Sequence, residues 1–291
     1  MIPEISIITA TYEPEIESLQ RTIDSVASQC GVALEHLIID GGSKNFDLSK
    51  IVTRNEDLKT ISWWVSEPDD GIYEAFNKGI KKARGKWLLF LGAGDTFVNN
   101  GVLERMLPIL HETPQEIRIV YGKAWSGHDI PINQNDDWEI YRTKVRRDGF
   151  FFAHQAVFHR AALFEEYGGY DESFRILADN ELLRRELMEH EARSVDFAIA
   201  IQPYGGLNSS LKNLPRFLKE SMRIYRRYPL QAGFHHRIRV GTQLLIEFLE
   251  TRFESRWAKF LSWFYLRPFL FFWSPCHAWR EYCQYRSHKK Q

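Results

Sequence analysis

Ser66 to Asp95 reads SEPDDGIYEAFNKGIKKARGKWLLFLGAGD, and its second half decides the fold. Lys86 to Leu91 is a short apolar run that breaks at Gly92-Ala93-Gly94 and ends on Asp95. This pattern predicts a buried strand that turns sharply and leaves one carboxylate at the rim of a sheet. Ligands of open α/β sheets bind beyond the carboxyl ends of the strands, so an acid there is a candidate for handling a metal or a phosphate. Gly71 to Ala83 predicts the preceding helix, with Ile72, Ala75, Phe76, Gly79, Ile80 and Ala83 on its apolar face. A helix cap or a solvated loop position is the competing reading of Asp95.

The N-terminal residues repeat the arrangement. Ile5 to Thr9 predicts a strand that breaks into Ala10-Thr11-Tyr12-Glu13-Pro14, and Glu15 to Ser28 predicts a helix with Ile16, Leu19, Ile23, Val26 and Ala27 facing inward. Leu34 to Ile39 predicts a second strand, ended by Asp40-Gly41-Gly42-Ser43. Strand, helix, strand is a βαβ unit, which winds right-handed into a parallel sheet. Three strands ending in Thr11/Glu13, Asp40 and Asp95 predict one shared cleft. No G-x-G-x-x-G follows the first strand and no Walker lysine loop is present, so the cleft would recognise its ligand with side chains.

These segments, with GFFFAHQAVFHRAALFEEYGGYDESFRILADNELLRREL further on, resemble the family-two glycosyltransferases of the GT-A fold, and among them the bacterial branch of colanic-acid type. The likeness covers roughly residues 3 to 210. It implies a Rossmann-like, mostly parallel α/β sheet flanked by helices over 1–210; the length and composition of the rest predict a helical, aromatic and basic C-terminal appendage over 211–291. It also implies an inverting hexosyl- or N-acetylhexosaminyl-transferase that uses a nucleotide-diphosphate sugar, preferably a UDP-sugar, in surface polysaccharide synthesis. The resemblance assigns the donor side to Thr11, Tyr12, Glu13, Asp40, Asp70, Asn77 and Gly94, with Gly79 completing an N-x-G element. It assigns a divalent metal, Mg²⁺ or Mn²⁺, to Asp95 and the catalytic base to Asp179. His154 and Gln155 match a strand on the acceptor side. Three positions depart from the usual pattern: Gly41 replaces a second acid after Asp40, Gly92-Ala93-Gly94 stands where another metal ligand is common, and Ala178 replaces the acid before Asp179.

The chemistry of these residues stands independently beside that. A nucleoside diphosphate is strongly anionic, and Mg²⁺ or Mn²⁺ keeps most of its waters while taking one or two carboxylates, so Asp95 alone suffices. Asp179 would take the acceptor hydroxyl's proton, although Ala178-Asp179-Asn180-Glu181 is equally a helix N-terminal cap. His154 in an aromatic strand is alternatively a core residue. Asp69-Asp70 alternatively complements a helix dipole, and Arg184-Arg185 belongs either on a solvated helix face or opposite donor phosphates.

The formal net charge of zero hides an asymmetry. Residues 1–210 hold 22 Lys/Arg against 33 Asp/Glu, while residues 211–291 hold 16 against 5. Trp257, Trp263, Phe264, Phe271, Phe272 and Trp273 alternate there with Arg256, Lys259, Arg267 and Arg280. Such a mixture suits an anionic membrane surface, here through residues 256–280, with packing on the domain or on a second copy as the alternative. Nucleic acid is excluded as a partner because the acidic catalytic half repels phosphate backbones. Cys30, Cys276 and Cys283 lack metal-ligand spacing and fit a reducing interior. No signal peptide or spanning segment is read, so the expected location is cytoplasmic, peripheral to the inner face of a bacterial plasma membrane. The expected acceptor is a lipid-linked saccharide. The competing function is an inactive, nucleotide-sugar-binding member of a polysaccharide assembly complex; convergence of Asp40, Asp95 and Asp179 on one cavity favours the enzyme.

Overall fold

The computed structural model describes residues 2–55, 61–127, 130–131, 138–143, 145–146, 152–203 and 213–229. A compact unit spans Met1–Pro229. The 256–280 run expected to meet a membrane lies outside the described residues. Among the described residues, no helix is long and apolar enough to cross a membrane.

The first half alternates strand and helix, and the sequence pattern predicts five of its seven elements. Ile5–Thr11 (β1), Ile16–Ala27 (α1), Leu34–Asp40 (β2), Leu48–Arg54 (α2), Ile61–Ser66 (β3), Ile72–Lys82 (α3) and Trp87–Gly92 (β4) follow in order. The second half comprises Thr96–Phe97 (β5), Val102–Glu112 (α4), Ile119–Ser126 (β6), Ile130–Pro131 (β7) and Trp138–Thr143 (α5). A 3-10 turn at His154–Ala156 then precedes Val157–Arg160 (β8), Ala161–Tyr167 (α6), Ala178–Leu187 (α7), Ala192–Gln202 (β9) and Leu214–Arg227 (α8). Among the described residues nine strands form one sheet in the order β3-β2-β1-β4-β8-β6-β9-β5, with β7 beside β6.

β3, β2, β1 and β4 are mutually parallel, whereas β8 is antiparallel to both β4 and β6. The mostly parallel sheet expected from the sequence is thus parallel on one side and mixed on the other. A parallel neighbour needs a crossover that returns the chain to the same edge. Here the 3-10 turn feeds β8 in at the rim end of β4, so β8 runs back, pairing His159 with Leu88.

The apolar runs alternate between two layers, as the period-two geometry of strands requires. Ile8, Leu88 and Phe90 join the core under α3 and α7, while Ile5, Ile7, Leu89 and Leu91 join the core under α4. α3 lies close against the sheet because Gly79 has no side chain: a Cβ there would stand 2.4 Å from Ile8 Cγ2 and 3.0 Å from Ile39 Cδ1. Gly79→Ala is therefore expected to destabilise the protein by about 1–3 kcal/mol through overpacking. That outweighs the roughly 1 kcal/mol by which alanine favours a helix interior. A lowered urea midpoint at unchanged m-value is the expected result.

The compact unit extends past residue 210 to include α8. Glu220 of α8 is buried, and its carboxylate accepts hydrogen bonds from the backbone N–H groups of Arg175, Ile176 and Leu177, at 2.9, 2.9 and 3.0 Å. These are the donors just ahead of α7, whose N-cap residue, Leu177, offers no side-chain acceptor. Three bonds to one carboxyl group tie α8 to the helix that carries Asp179.

Candidate active site

The rim where β1 and β4 end opens on a cavity of about 810 Å³. Thr11, Tyr12, Asp69, Asp70, Asp95, His154, Gln155, Arg175 and Asp179 are among its lining residues. Glu15 adds a further acid, and Arg175 is the single cationic side chain among the described lining residues. A diphosphate entering so acidic a cavity requires a compensating cation.

Asp95 reaches this cavity through the turn predicted after β4. Gly94 adopts φ +104°, a conformation that glycine takes without strain, and its N–H donates to Thr22 Oγ1 at 2.8 Å. The Asp95 carboxylate accepts from Gly92 N–H at 2.8 Å. Burial pushes its pKa up to about 7 against that hydrogen bond. A buried oxygen ligand with no cationic partner is suited to Mg²⁺ or Mn²⁺. Among the described residues no group of three or more His, Cys, Asp or Glu could hold a metal. Asp95 would fit as a single protein ligand of such an ion, with water and donor oxygens completing its coordination.

Asp179 stands in the first turn of α7, one residue beyond its start, and is 7% exposed. The cap predicted for this residue comes instead from Glu220. Three hydrogen bonds converge on its Oδ1, from Tyr73 Oη at 2.9 Å, Asn180 N–H at 2.8 Å and Asn180 Nδ2 at 3.2 Å. None of these bonds reaches Oδ2. Burial raises the carboxyl pKa to about 6, and the Tyr73 and Asn180 hydrogen bonds oppose the rise. A carboxylate poised there is ionised at neutral pH yet holds a proton more readily than an exposed aspartate.

The donor-side candidates divide into two groups. Thr11 and Tyr12 line the cavity; the Thr11 hydroxyl is buried without a partner among the described residues, and Tyr12 is 64% exposed. Asp40 and Glu13 are not among the cavity-lining residues. Asp40 is fully buried and accepts from Ser43 N–H at 2.9 Å, Ser43 Oγ at 2.5 Å and Ser66 Oγ at 2.6 Å. Glu13 N–H donates to Ser43 Oγ at 2.6 Å, and its carboxylate accepts from Lys44 N–H at 2.7 Å. Glu13 thus laces the β1–α1 loop to the loop after β2, and Asp40 ties that second loop to the end of β3. Of the three acids expected to converge, Asp95 and Asp179 share the cavity and Asp40 lies behind its wall. At Gly41 a Cβ would meet Asp69 Oδ2 at 2.7 Å, so the side-chain space beside Asp40 is taken by an acid from another loop.

Asn77 and Gly79 serve structure. Asn77 Nδ2 donates to Tyr170 O at 3.0 Å and its Oδ1 accepts from Tyr170 N–H at 2.9 Å, which latches the loop ahead of α7. Asp69 accepts from Gly71 N–H at 2.9 Å at the start of α3, and burial raises its pKa. Asp70 stands 3.7 Å from Arg175. His154 and Gln155 reach the cavity from the 3-10 turn rather than from a strand. His154 stacks on Phe90 with ring centroids 5.1 Å apart, its Nε2 lies 2.7 Å from Tyr170 Oη, and burial pulls its pKa down to about 3, so it is neutral. Arg184 is neither solvated nor at the cavity, since its Nη1 donates to Val145 O at 2.9 Å. Arg185 pairs with the buried Glu181 at 2.8 Å.

Tyr73 and Arg175 carry no signal in the sequence that points to the cavity. Tyr73 lies one position off the apolar face predicted for α3, and Arg175 occupies a loop whose course depends on α8.

Known proteins resemble this chain in sequence and in fold. The model of the family described as Glycosyl transferase family 2 matches residues 6–167. A PGL/p-HBAD biosynthesis glycosyltransferase of Mycobacterium bovis is 29% identical over 89% of this chain and 93% of its own length. An uncharacterised glycosyltransferase of Mycobacterium tuberculosis is 30% identical over 78% of this chain and 86% of its own. Among solved structures, S. aureus TarS 1–349 in complex with UDP superposes with a TM-score of 0.59 at 18% identity, over 90% of this chain and 75% of that one. The mannosyltransferase PcManGT from Pyrobaculum calidifontis, in complex with GDP-Man and Mn²⁺, superposes with a TM-score of 0.59 at 15% identity, over 78% and 64%. These likenesses establish the GT-A fold. Because the family model spans more than half of its length, the chain belongs to glycosyl transferase family 2 and is a glycosyltransferase.

Proposed function

We propose that the protein is an inverting glycosyltransferase that moves a sugar from a nucleotide-diphosphate sugar, preferably a UDP-sugar, to a hydroxyl of a lipid-linked or saccharide acceptor in surface polysaccharide synthesis. The observation that carries this reading is the placement of Asp95 and Asp179 in one cavity, with Asp179 buried and its Oδ2 outside the hydrogen bonds that hold Oδ1. Asp179 removes the acceptor hydroxyl's proton. The acceptor oxygen forms its bond to the anomeric carbon as the bond to the diphosphate breaks, and the leaving diphosphate keeps the electron pair. Attack from the face opposite the leaving group inverts the anomeric centre. When bound, a divalent cation on Asp95 supplies Lewis-acid stabilisation of the departing diphosphate. Thr11 and Tyr12 hold the donor's base, and Asp40 acts indirectly by fixing Ser43 and the loop beside them. Residues 256–280 hold the enzyme at an anionic membrane surface, which raises the effective concentration of a lipid-linked acceptor.

Calorimetric titration of the full chain with UDP- and GDP-sugars, with Mn²⁺ and after chelation, tests the donor assignment. One donor is expected to bind with micromolar affinity in the presence of metal and far more weakly after chelation. Asp95→Ala is expected to abolish most of that metal dependence. Equal binding by Asp95→Ala and wild type would remove Asp95 from the metal site.

A further inference from the structure

Tyr73 Oη has one hydrogen to donate and two acceptors in reach. Ile176 O lies at 2.6 Å and Asp179 Oδ1 at 2.9 Å, all in buried surroundings. The two acceptors therefore compete, and charge decides between them. An ionised carboxylate is the stronger acceptor, whereas a neutral carboxyl is weaker than a backbone carbonyl at shorter range.

We propose that Tyr73 is a positioning residue for Asp179 whose hydroxyl hydrogen bond swings from Asp179 to Ile176 O as the carboxylate takes up a proton. In the resting state the hydroxyl supports the ionised base through Oδ1. When Oδ2 accepts the acceptor's proton, the Oδ1 bond weakens and the hydroxyl turns to Ile176, so neither protonation state leaves the buried phenol without an acceptor. The peptide that carries Ile176 O is fixed for this purpose from its other side, since its N–H, that of Leu177, donates to Glu220 at 3.0 Å. Glu220 thus sets the alternative acceptor from a helix beyond the 6–167 segment matched by the family. No bond is made or broken in the swing; only the direction of one O–H changes.

The neighbouring titratable groups do not take this part. Burial pushes the Tyr73 and Tyr170 hydroxyls well above their usual pKa and holds His154, behind Tyr170, neutral. Asp69, Asp70, Asp95 and Arg175 line the same cavity, but no hydrogen bond joins them to Asp179.

The proposal rests on Asp179 being the base, and the experiment separates the two ideas. Unfolding free energy is measured against pH for wild type, Tyr73→Phe, Asp179→Asn and the double variant. The difference between each pair with and without Asp179 isolates that carboxyl's titration. With Tyr73 present the difference is expected to inflect near pH 6; in the Tyr73→Phe pair the inflection moves up by about 1–2 pH units. The acid limb of nucleoside diphosphate release, measured with the donor selected by calorimetry, moves with it. Tyr73→Phe then loses about tenfold in rate at pH 6 and little at pH 9, with unchanged donor affinity. An unmoved inflection overturns the role of Tyr73. A moved inflection with an unmoved rate limb overturns Asp179 as the base.

Discussion

Asp179→Asn lowers the transfer rate by about 10²–10⁴-fold, the usual contribution of a general base, while donor affinity stays within a factor of about two. Asparagine keeps the shape of the side chain and an Oδ1 that can accept from Tyr73 Oη and Asn180 N–H. What it lacks is the basicity of Oδ2. The wild-type rate rises with pH through about 6, where the buried carboxyl ionises, and this limb is absent from the variant's residual activity. Stability moves in the opposite sense. Because the folded pKa is raised above that of the unfolded chain, ionising Asp179 destabilises the fold progressively as pH rises from about 4 to about 6. The loss is on the order of 3 kcal/mol. Asp179→Asn should thus match wild type at pH 4 and unfold later than wild type at pH 8. An active variant, or one that is less stable than wild type at pH 8, would refute the assignment.

The second large effect concerns stability. Arg118, just ahead of β6, donates from Nε to Glu186 Oε1 at 2.9 Å and from Nη2 to Oε2 at 2.6 Å, and Glu186 on α7 is fully buried. Arg118 also contacts Glu166 and Tyr167. Removing the cation leaves a buried carboxylate unpaired, which costs about 3–5 kcal/mol. For a unit of this size that corresponds to a melting temperature lowered by roughly 6–20 °C in Arg118→Ala. Glu186→Gln in the same chain removes the orphaned charge and should recover a large part of the loss. Recovery by Glu186→Gln separates charge burial from the simple loss of a long side chain. The pair also pins α7, so the single variant is expected to lower activity at temperatures where it is still folded.

Much of this architecture was legible because it is written in local pattern. The predicted strands at 5–9, 34–39 and 86–91 fall within β1 and β2 and overlap β4, and the predicted helix at 71–83 brackets α3. Buried β-branched runs, glycine breaks and helical apolar faces each constrain only a few neighbouring residues. The edge strand β3 escaped notice because its residues alternate between half-buried and exposed, so Trp63 and Trp64 form no continuous apolar run. The burial of Tyr73 and Asn77 escaped for the same reason: both lie beside the apolar stripe and are covered only when the loop around Tyr170 folds over α3.

The sequence by itself determined β1, α1, β2, α3 and β4 in their order, the rim positions of Thr11 and Asp95, and the presence of Asp179 at the start of a helix. All of these follow from residues within one or two turns of one another, where backbone sterics and side-chain periodicity act directly. Tertiary structure alone decided that the Asp40 carboxylate turns inward to Ser43 and Ser66 and that Glu220 satisfies the N–H groups ahead of α7. It alone placed Tyr73 between Asp179 and Ile176. A carboxylate or hydroxyl has no intrinsic direction in a sequence. Its hydrogen-bond partner is fixed by whichever distant donors or acceptors the packed helices leave buried and otherwise unsatisfied.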